Sequence, residues 1–466
     1  MLGMGNMRQW LMNISLVGGW FPAAAFAVIA VLSVTLLVSA AVSKRDGRIL
    51  ATVLPIGVAA VSGMIGYVVA WLLSDVFVVF GVGLGSRVMS WVAAGFAIAG
   101  FAIVHIVLSR GMMRVAAAIL TVFAILAAAI GIDQSYGEYA TIGSLFGEDS
   151  YSQADLTGLA KRKDLITVAQ WRKQAANGTI RNIPANGTVN KIDIPATKSQ
   201  FEARKALVYL PPAALADSKR KPALPVVLML SGQPGSPGRV FQAGGIQTMM
   251  DGYAKTPDGL APIVIAADQL GADSHNTLCV DSKVYGNALT YLTQDVVDWV
   301  KTNLPAAQDA KDWAIAGFSQ GATCSLQIGV NHPDLFGTMI PTDSEIKPTN
   351  GSRQEMIDRF FDGDTTAYEN QVPVNAIRNH APTHQMLIIG AGEKDTTSIR
   401  NVKTIASVAA KAGMRVAAVE SSGNAHDWHA VQDVLRYGLA VFGHDTGLDG
   451  ANPNLSDYPN LKRITI

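Results

Sequence analysis

A chain of 466 residues exceeds one ordinary domain, and 37 Lys and Arg against 36 Asp and Glu leave a net charge of +1. That balance, without any basic tract, gives no footing for nucleic acid as a partner. Hydrophobic residues make up 49% of the chain and charged ones only 16%, and the apolar excess lies almost wholly before Asp133.

Four apolar stretches come first: Trp20 to Val42, Leu50 to Leu73, Val88 to Leu108 and Val115 to Ile132. Each is close to the ~20 residues that cross a bilayer core as a helix. A cleaved signal peptide would explain the first and leave three unexplained. Lys44, Arg45 and Arg48 follow the first stretch, and Arg110 and Arg114 follow the third. The opposite loops carry only Arg8 and Arg87. Basic loops stay preferentially in the cytoplasm, so the pattern predicts a multi-pass plasma-membrane protein with both ends outside. The expected domains are a four-helix transmembrane domain over 1–132, a juxtamembrane stalk over 133–186, and an extracytoplasmic α/β-hydrolase domain over 187–466. His105 falls in the third stretch, where an ionisable group is costly; a neutral histidine bonded to a neighbouring helix is the plainer reading.

Past the stalk, strands alternate with helices, the pattern of a mostly parallel sheet flanked by helices. Val226 to Leu230 and Ile263 to Ala267 are continuous apolar runs, as central parallel strands should be. Further strands are expected at Trp313, over Thr338 to Pro341, over Met386 to Ile389 and over Arg415 to Val419. Helices are expected from about Ile399 to Ala412 and from Trp428 to Phe442. Lys347 to His384 fits no such period and reads as loops and short helices.

The chemistry centres on Gly317-Phe318-Ser319-Gln320-Gly321. The motif alone is common in a glycine-rich chain, but here it stands between a strand and a helix, the setting of a nucleophile elbow. A serine hydroxyl needs a base, and the base needs a partner that fixes its tautomer. In this fold serine, acid and histidine follow in that order. Asp395, after the Met386 to Ile389 strand, is the first choice of acid, with Glu393 and Asp343 as rivals. His426, at the loop-to-helix junction after the last strand, is preferred as base over His429, one turn into the helix. His380 and His384 have a helical zinc spacing, but Pro382 between them argues against a helix. No metal or other cofactor is called for. The oxyanion hole needs two backbone N–H groups; Gln320 supplies one, and Gln233, after the Val226 strand, is the candidate for the other. Cys279 and Cys324 are the two cysteines, and an extracytoplasmic domain permits a disulfide between them.

With these residues in place, about Gly187 to Phe442 resembles the Putative esterase family, which includes esterase D-type carboxylesterases and the secreted mycolyltransferases of actinobacterial envelopes. The resemblance rests on Ser231-Gly232-Gln233, on the Gly317 to Gly321 elbow, and on Ala425-His426-Asp427-Trp428. The apolar N-terminus joined to such a domain is similar to membrane-bound actinobacterial esterases. It implies a serine hydrolase cleaving carboxylic esters of an envelope lipid or acylated glycan at the bilayer, or an acyltransferase on the same residues. A non-catalytic envelope binding protein on the same fold is the alternative of another class. For the topology, a compartment-sensitive reporter fused after Ile466 should be active only outside the cytoplasm; cytoplasmic activity would reverse the orientation.

Overall fold

The computed structural model of the protein describes residues 4–42, 48–77, 84–148, 151–161, 164–256, 258–450 and 452–466. Lys44 and Arg45, which carry part of the charge argument, lie outside the described residues. Apart from Ala425–Asp427, the chain falls into two units, Met1–Glu148 and Asp149–Asn424 with Trp428–Ile466.

The first unit holds four long helices: α1 (Trp20–Ala41), α2 (Arg48–Trp71), α3 (Gly85–Leu108) and α4 (Met112–Tyr136). At about 1.5 Å per residue, their 22 to 25 residues span the ~30 Å of a hydrocarbon core. All four segments are long and apolar enough to cross a membrane. Their outward faces leave Val31, Val34, Val61, Met64, Val107, Val122 and Ile125 exposed. Water would penalise such a surface, whereas acyl chains match it. Between helices the contacts run through small residues. A Cβ on Gly100 would lie 2.4 Å from Ser62 Oγ, and one on Gly131 would lie 2.1 Å from Trp91 Cδ2. His105 is buried beside Phe101, ring centroids 4.6 Å apart. Its Nε2 meets no hydrogen-bonding partner among the described residues, so the expected bond to a neighbouring helix is not found. The segments before α1 and after α4 meet: Leu16 N donates to Ala140 O at 3.0 Å and Ile142 N to Ile14 O at 2.9 Å. Such a meeting needs both segments on one side, as an even number of spans would place them.

The second unit is built on a ten-stranded sheet. In chain order its strands are β1 (Ser152–Gln153), β2 (Thr188–Ile192), β3 (Ala206–Leu210), β4 (Val226–Leu230), β5 (Ile263–Ala266), β6 (Trp313–Phe318), β7 (Thr338–Thr342), β8 (Met386–Gly392), β9 (Arg415–Ser421) and β10 (Leu461–Arg463). In space they run β1-β2-β3-β5-β4-β6-β7-β8-β9-β10. The strands from β5 to β9 are mutually parallel; β3 is antiparallel to both its neighbours, and β10 to β9. This is the mostly parallel sheet of an α/β-hydrolase.

Both faces are covered, which is why the central strands read as unbroken apolar runs. Val226, Leu228 and Leu230 pack on one face with Trp313 and Ile315, beneath Leu326 of α6 (Gln320–Asn331) and Val402 of α7 (Thr396–Lys411) once those helices are laid down. Val227 and Met229 point to the other, against Phe241 and Val434, the latter on α8 (Trp428–Asp445). The expected Lys347 to His384 irregular segment holds three short helices, Arg353–Phe360, Thr365–Gln371 and Pro373–Asn379. Met356, Ile357, Phe360 and Tyr368 turn inward there to form a small apolar cluster with Leu278.

The segment expected as a stalk joins the folded unit from Ser152 onward. Ser152 and Gln153 pair with Asn190 and Lys191 at the sheet edge. The helix Val168–Ala176 starts in a capping box, with Thr167 Oγ1 accepting from Gln170 N and Gln170 Oε1 from Thr167 N. It buries Trp171 in the main core, and Trp171 Nε1 donates to Asp258 O at 2.9 Å. With Leu156, Ile166 and Ile180 in the same core, Trp171 makes this polar-looking stretch part of the folded unit. Trp171→Ala should therefore cost about 3–5 kcal/mol, read as an earlier denaturant midpoint for the sheet-bearing unit. An unchanged midpoint would return the segment to a linker.

Candidate active site

β6 ends at Phe318, and the chain turns at once into α6. Ser319 sits at this turn with φ 54° and ψ −116°, a left-handed conformation that a residue with a side chain holds at a cost of about 1–3 kcal/mol. Its N–H donates to Thr342 O of β7 at 3.0 Å. A Cβ at Gly317 would lie 2.2 Å from Gly321 O, and one at Gly321 would lie 2.3 Å from Ser231 O. Both glycines are thus dictated by backbone approaching backbone, and the serine is held up at the carboxyl end of the central strand.

The loop after β4 lies against this turn. A Cβ on Gly232 would be 3.5 Å from Ser319 Cβ, so Ser231-Gly232-Gln233 passes beside Ser319. Gln320 is the first residue of α6, where a backbone N–H has no acceptor within the helix. Its side chain is tied down elsewhere, with Nε2 3.3 Å from Asn276 Oδ1 and 3.2 Å from Cys324 Sγ. Cys279 and Cys324 are joined as a disulfide. Closing a loop over a sequence separation of 45 is worth about 4 kcal/mol in the chain-entropy model, and it fastens the loop after β5 to α6. Arg204 supports the same region: its guanidinium grips the fully buried Asp268 carboxylate at 2.8 and 2.9 Å and donates to Gly235 O at 2.9 Å.

Three groups gather at the carboxyl ends of β7, β8 and β9. A carboxylate oxygen of Asp343, one of Asp395 and a ring nitrogen of His426 all lie within 4.8 Å of one another. Asp395 caps α7, accepting from Thr397 N at 3.2 Å, Ser398 N at 3.0 Å and Ser398 Oγ at 2.7 Å. Asp343 is buried, has φ 53°, and accepts from Gly392 N at 3.0 Å. Asp343, the weaker candidate from the sequence, directly follows Thr342, whose carbonyl accepts from Ser319 N. Two carboxylates and an imidazole could also hold a divalent cation, but a histidine in the loop after the last parallel strand suits the base of a serine nucleophile.

The rival Glu393 is committed elsewhere. It accepts from Gly423 N at 2.7 Å and from Lys462 Nζ at 2.8 Å. The Lys462 ammonium, then the Gly423 N–H, hold its carboxyl below the usual carboxylate range. That tether is present at neutral pH and is lost as pH falls through the lowered pKa. Lys394 N donates to Asn424 O at 2.9 Å, so the loops bearing Asp395 and His426 are bound to each other. Asp433 accepts from Ser421 Oγ at 2.6 Å and Asn424 Nδ2 at 3.2 Å, fixing the stem of the histidine loop. His429 lies in the first turn of α8, and His380 caps the Pro373–Asn379 helix with its ring 3.1 Å from Asn331 Oδ1.

Sheet order, elbow and flanking loops define an α/β-hydrolase-fold ester hydrolase. The comparisons with known proteins give the family. The model of the family described as "Putative esterase" matches residues 198–440, more than half of the chain, and the chain belongs to that family. It is 32% identical over 333 residues to an uncharacterised protein of Corynebacterium glutamicum, covering 70% of this chain and 74% of that one. Among solved structures, an S-formylglutathione hydrolase from Agrobacterium tumefaciens is 16% identical with a TM-score of 0.47, covering 57% of this chain and 98% of the other. Mycobacterium tuberculosis MPT51 is 14% identical with a TM-score of 0.39, covering 55% and 97%.

The geometry sets Glu393, held by Gly423 and Lys462, apart from Asp395 and Asp343, which both approach His426. Asp395→Asn should lower kcat on a short-chain ester by about 10³–10⁴-fold, Asp343→Asn by less, and Glu393→Gln by under about threefold. Steady-state kinetics on the three variants measures this ordering; a dead Glu393→Gln beside an active Asp395→Asn would reverse it.

Proposed function

We propose that the protein is a membrane-anchored serine hydrolase that cleaves carboxylic esters through an acyl-enzyme on Ser319. The observation that carries the reading is the strained Ser319 turn at the end of β6, flanked by the Gly232 backbone and followed in chain order by Asp395 and His426. Ser319 Oγ attacks the ester carbonyl carbon as His426 takes its proton, with Asp395 fixing the imidazole tautomer. The oxyanion is received by the N–H groups of Gln320 and Gln233. The carbonyl re-forms, the alcohol leaves with the proton from His426, and water repeats the sequence to release the acid. An alcohol in place of that water would give the transferase reaction.

Four membrane-spanning helices and an enzyme unit in one chain support a substrate of the cell envelope, a lipid or an acylated glycan. Surface character favours a polar head group. The apolar side chains of the three short helices turn inward, and among described residues beyond Glu148 the large hydrophobic side chain left open is Ile466.

A fluorophosphonate probe should label the full-length protein and fail to label Ser319→Ala. Reconstituted in vesicles, the protein should hydrolyse a polar-headed ester held in its own bilayer at least about tenfold faster than the same ester in separate vesicles. Equal rates would leave the helices as a mere tether, and absence of labelling would remove the serine mechanism.

A further inference from the structure

Catalysis on the reading above requires two backbone N–H groups, from different loops, to keep one separation while charge appears on the substrate oxygen. Their host segments, Ser231–Gln233 after β4 and Gln320 at the head of α6, are distant in sequence. One side chain touches both. Gln269, fully buried in the loop after β5, donates from Nε2 to Ser231 O at 2.6 Å. The same nitrogen lies 3.3 Å from Ser231 Oγ and 3.2 Å from Gln320 Oε1. An amide nitrogen has two hydrogens, so one serves Ser231 and the other serves Gln320. The opposite flip of the amide would set Gln269 Oε1 against the Ser231 carbonyl, two acceptors face to face, which fixes the orientation.

We propose that Gln269 is a positioning residue of the oxyanion hole, a bridge that locks the Ser231–Gln233 loop to Gln320 and holds the two donors in register. The backbone of Gln269 is itself anchored. Its carbonyl accepts from Thr277 Oγ1 at 2.7 Å, and Asp268 before it is held by Arg204 at 2.8 Å. The far side of Gln320 is held as well, by Asn276 at 3.3 Å and by the disulfide sulfur of Cys324 at 3.2 Å. Gln320 is thereby gripped at both ends of its amide, and Gln269 is the link that carries that grip across to the β4 loop. Gln269 Oε1 is buried with no hydrogen-bond partner among the described residues. A glutamine retained for stability alone would use both ends of its amide. Here the donor end does the linking, so an apolar residue of similar length should disturb the reaction more than the fold.

The test uses the full-length protein in detergent and a soluble short-chain ester. Gln269→Met should lower kcat about 10–100-fold with KM changed by less than about threefold, the pattern of an interaction felt in the transition state. Affinity for phenylboronic acid, whose adduct with a serine hydroxyl is tetrahedral and anionic, should fall by a similar factor while the thermal midpoint stays within a few degrees. Gln269→Glu keeps the shape without the donors and should be at least as impaired; it replaces Gln269→Met should that variant fail to fold. Unchanged kcat and boronate affinity in a folded variant would overturn the bridge while leaving the serine mechanism intact. A wild-type protein that turns over no ester and binds no boronate would overturn both.

Discussion

The structure turns on a shortage of space at the end of β6. Backbone from the elbow, from the start of α6 and from the end of β4 meets there at distances that admit no Cβ at Gly317 or Gly321. That crowding brings Ser319 into a left-handed conformation it would not choose alone. It also sets the Ser231 carbonyl against the Ser319 turn, so the position of the Ser319 hydroxyl and of the loop beside it are one geometric fact. A local energy deficit of this kind persists only when the surroundings over-determine it. Here the surroundings are a parallel sheet covered on both faces, with Thr342 of β7 holding the Ser319 N–H.

Around that point polar groups are arranged in two rings. One gathers Arg204, Asp268, Gln269, Gln320 and the Cys279–Cys324 bond, and it stiffens the side on which an oxyanion would form. The other gathers Glu393, Lys394, Asn424, Asp433 and Lys462, and it sets the loops that bear Asp395 and His426. The first ring is buried and includes a carboxylate made tolerable by a paired guanidinium and three backbone N–H groups. The second is largely exposed, where each contact contributes little alone, so its effect lies in the number of ties between two loops.

What the sequence disclosed follows from these physical differences. Four apolar stretches and the unbroken runs of β4 and β5 were legible because a bilayer or a two-faced sheet leaves no polar side to mix in. The elbow was legible because its two glycines are forced. The reach of the enzyme unit back to Ser152 was hidden: β1 is two residues long, and the short helix after it is held by Trp171 and Arg172 amid a polar sequence. The choice between Asp343 and Asp395 was blurred because both end parallel strands of the same sheet and both approach His426. Gln269 has no motif at all. A buried amide between two loops is visible only once the loops are in place.

The meeting of Leu16 with Ala140 and of Ile14 with Ile142 has a consequence for how the chain is made. The N-terminal segment around Ser15 can find its partner only after the fourth helix has left the ribosome. At about 5–20 residues per second, that is a wait on the order of ten seconds. During that interval the early helices would lack the clasp that joins the two ends of the bundle. Translation thus sets the earliest moment at which the first unit can close, shortly before the first residues of the sheet-bearing unit are made.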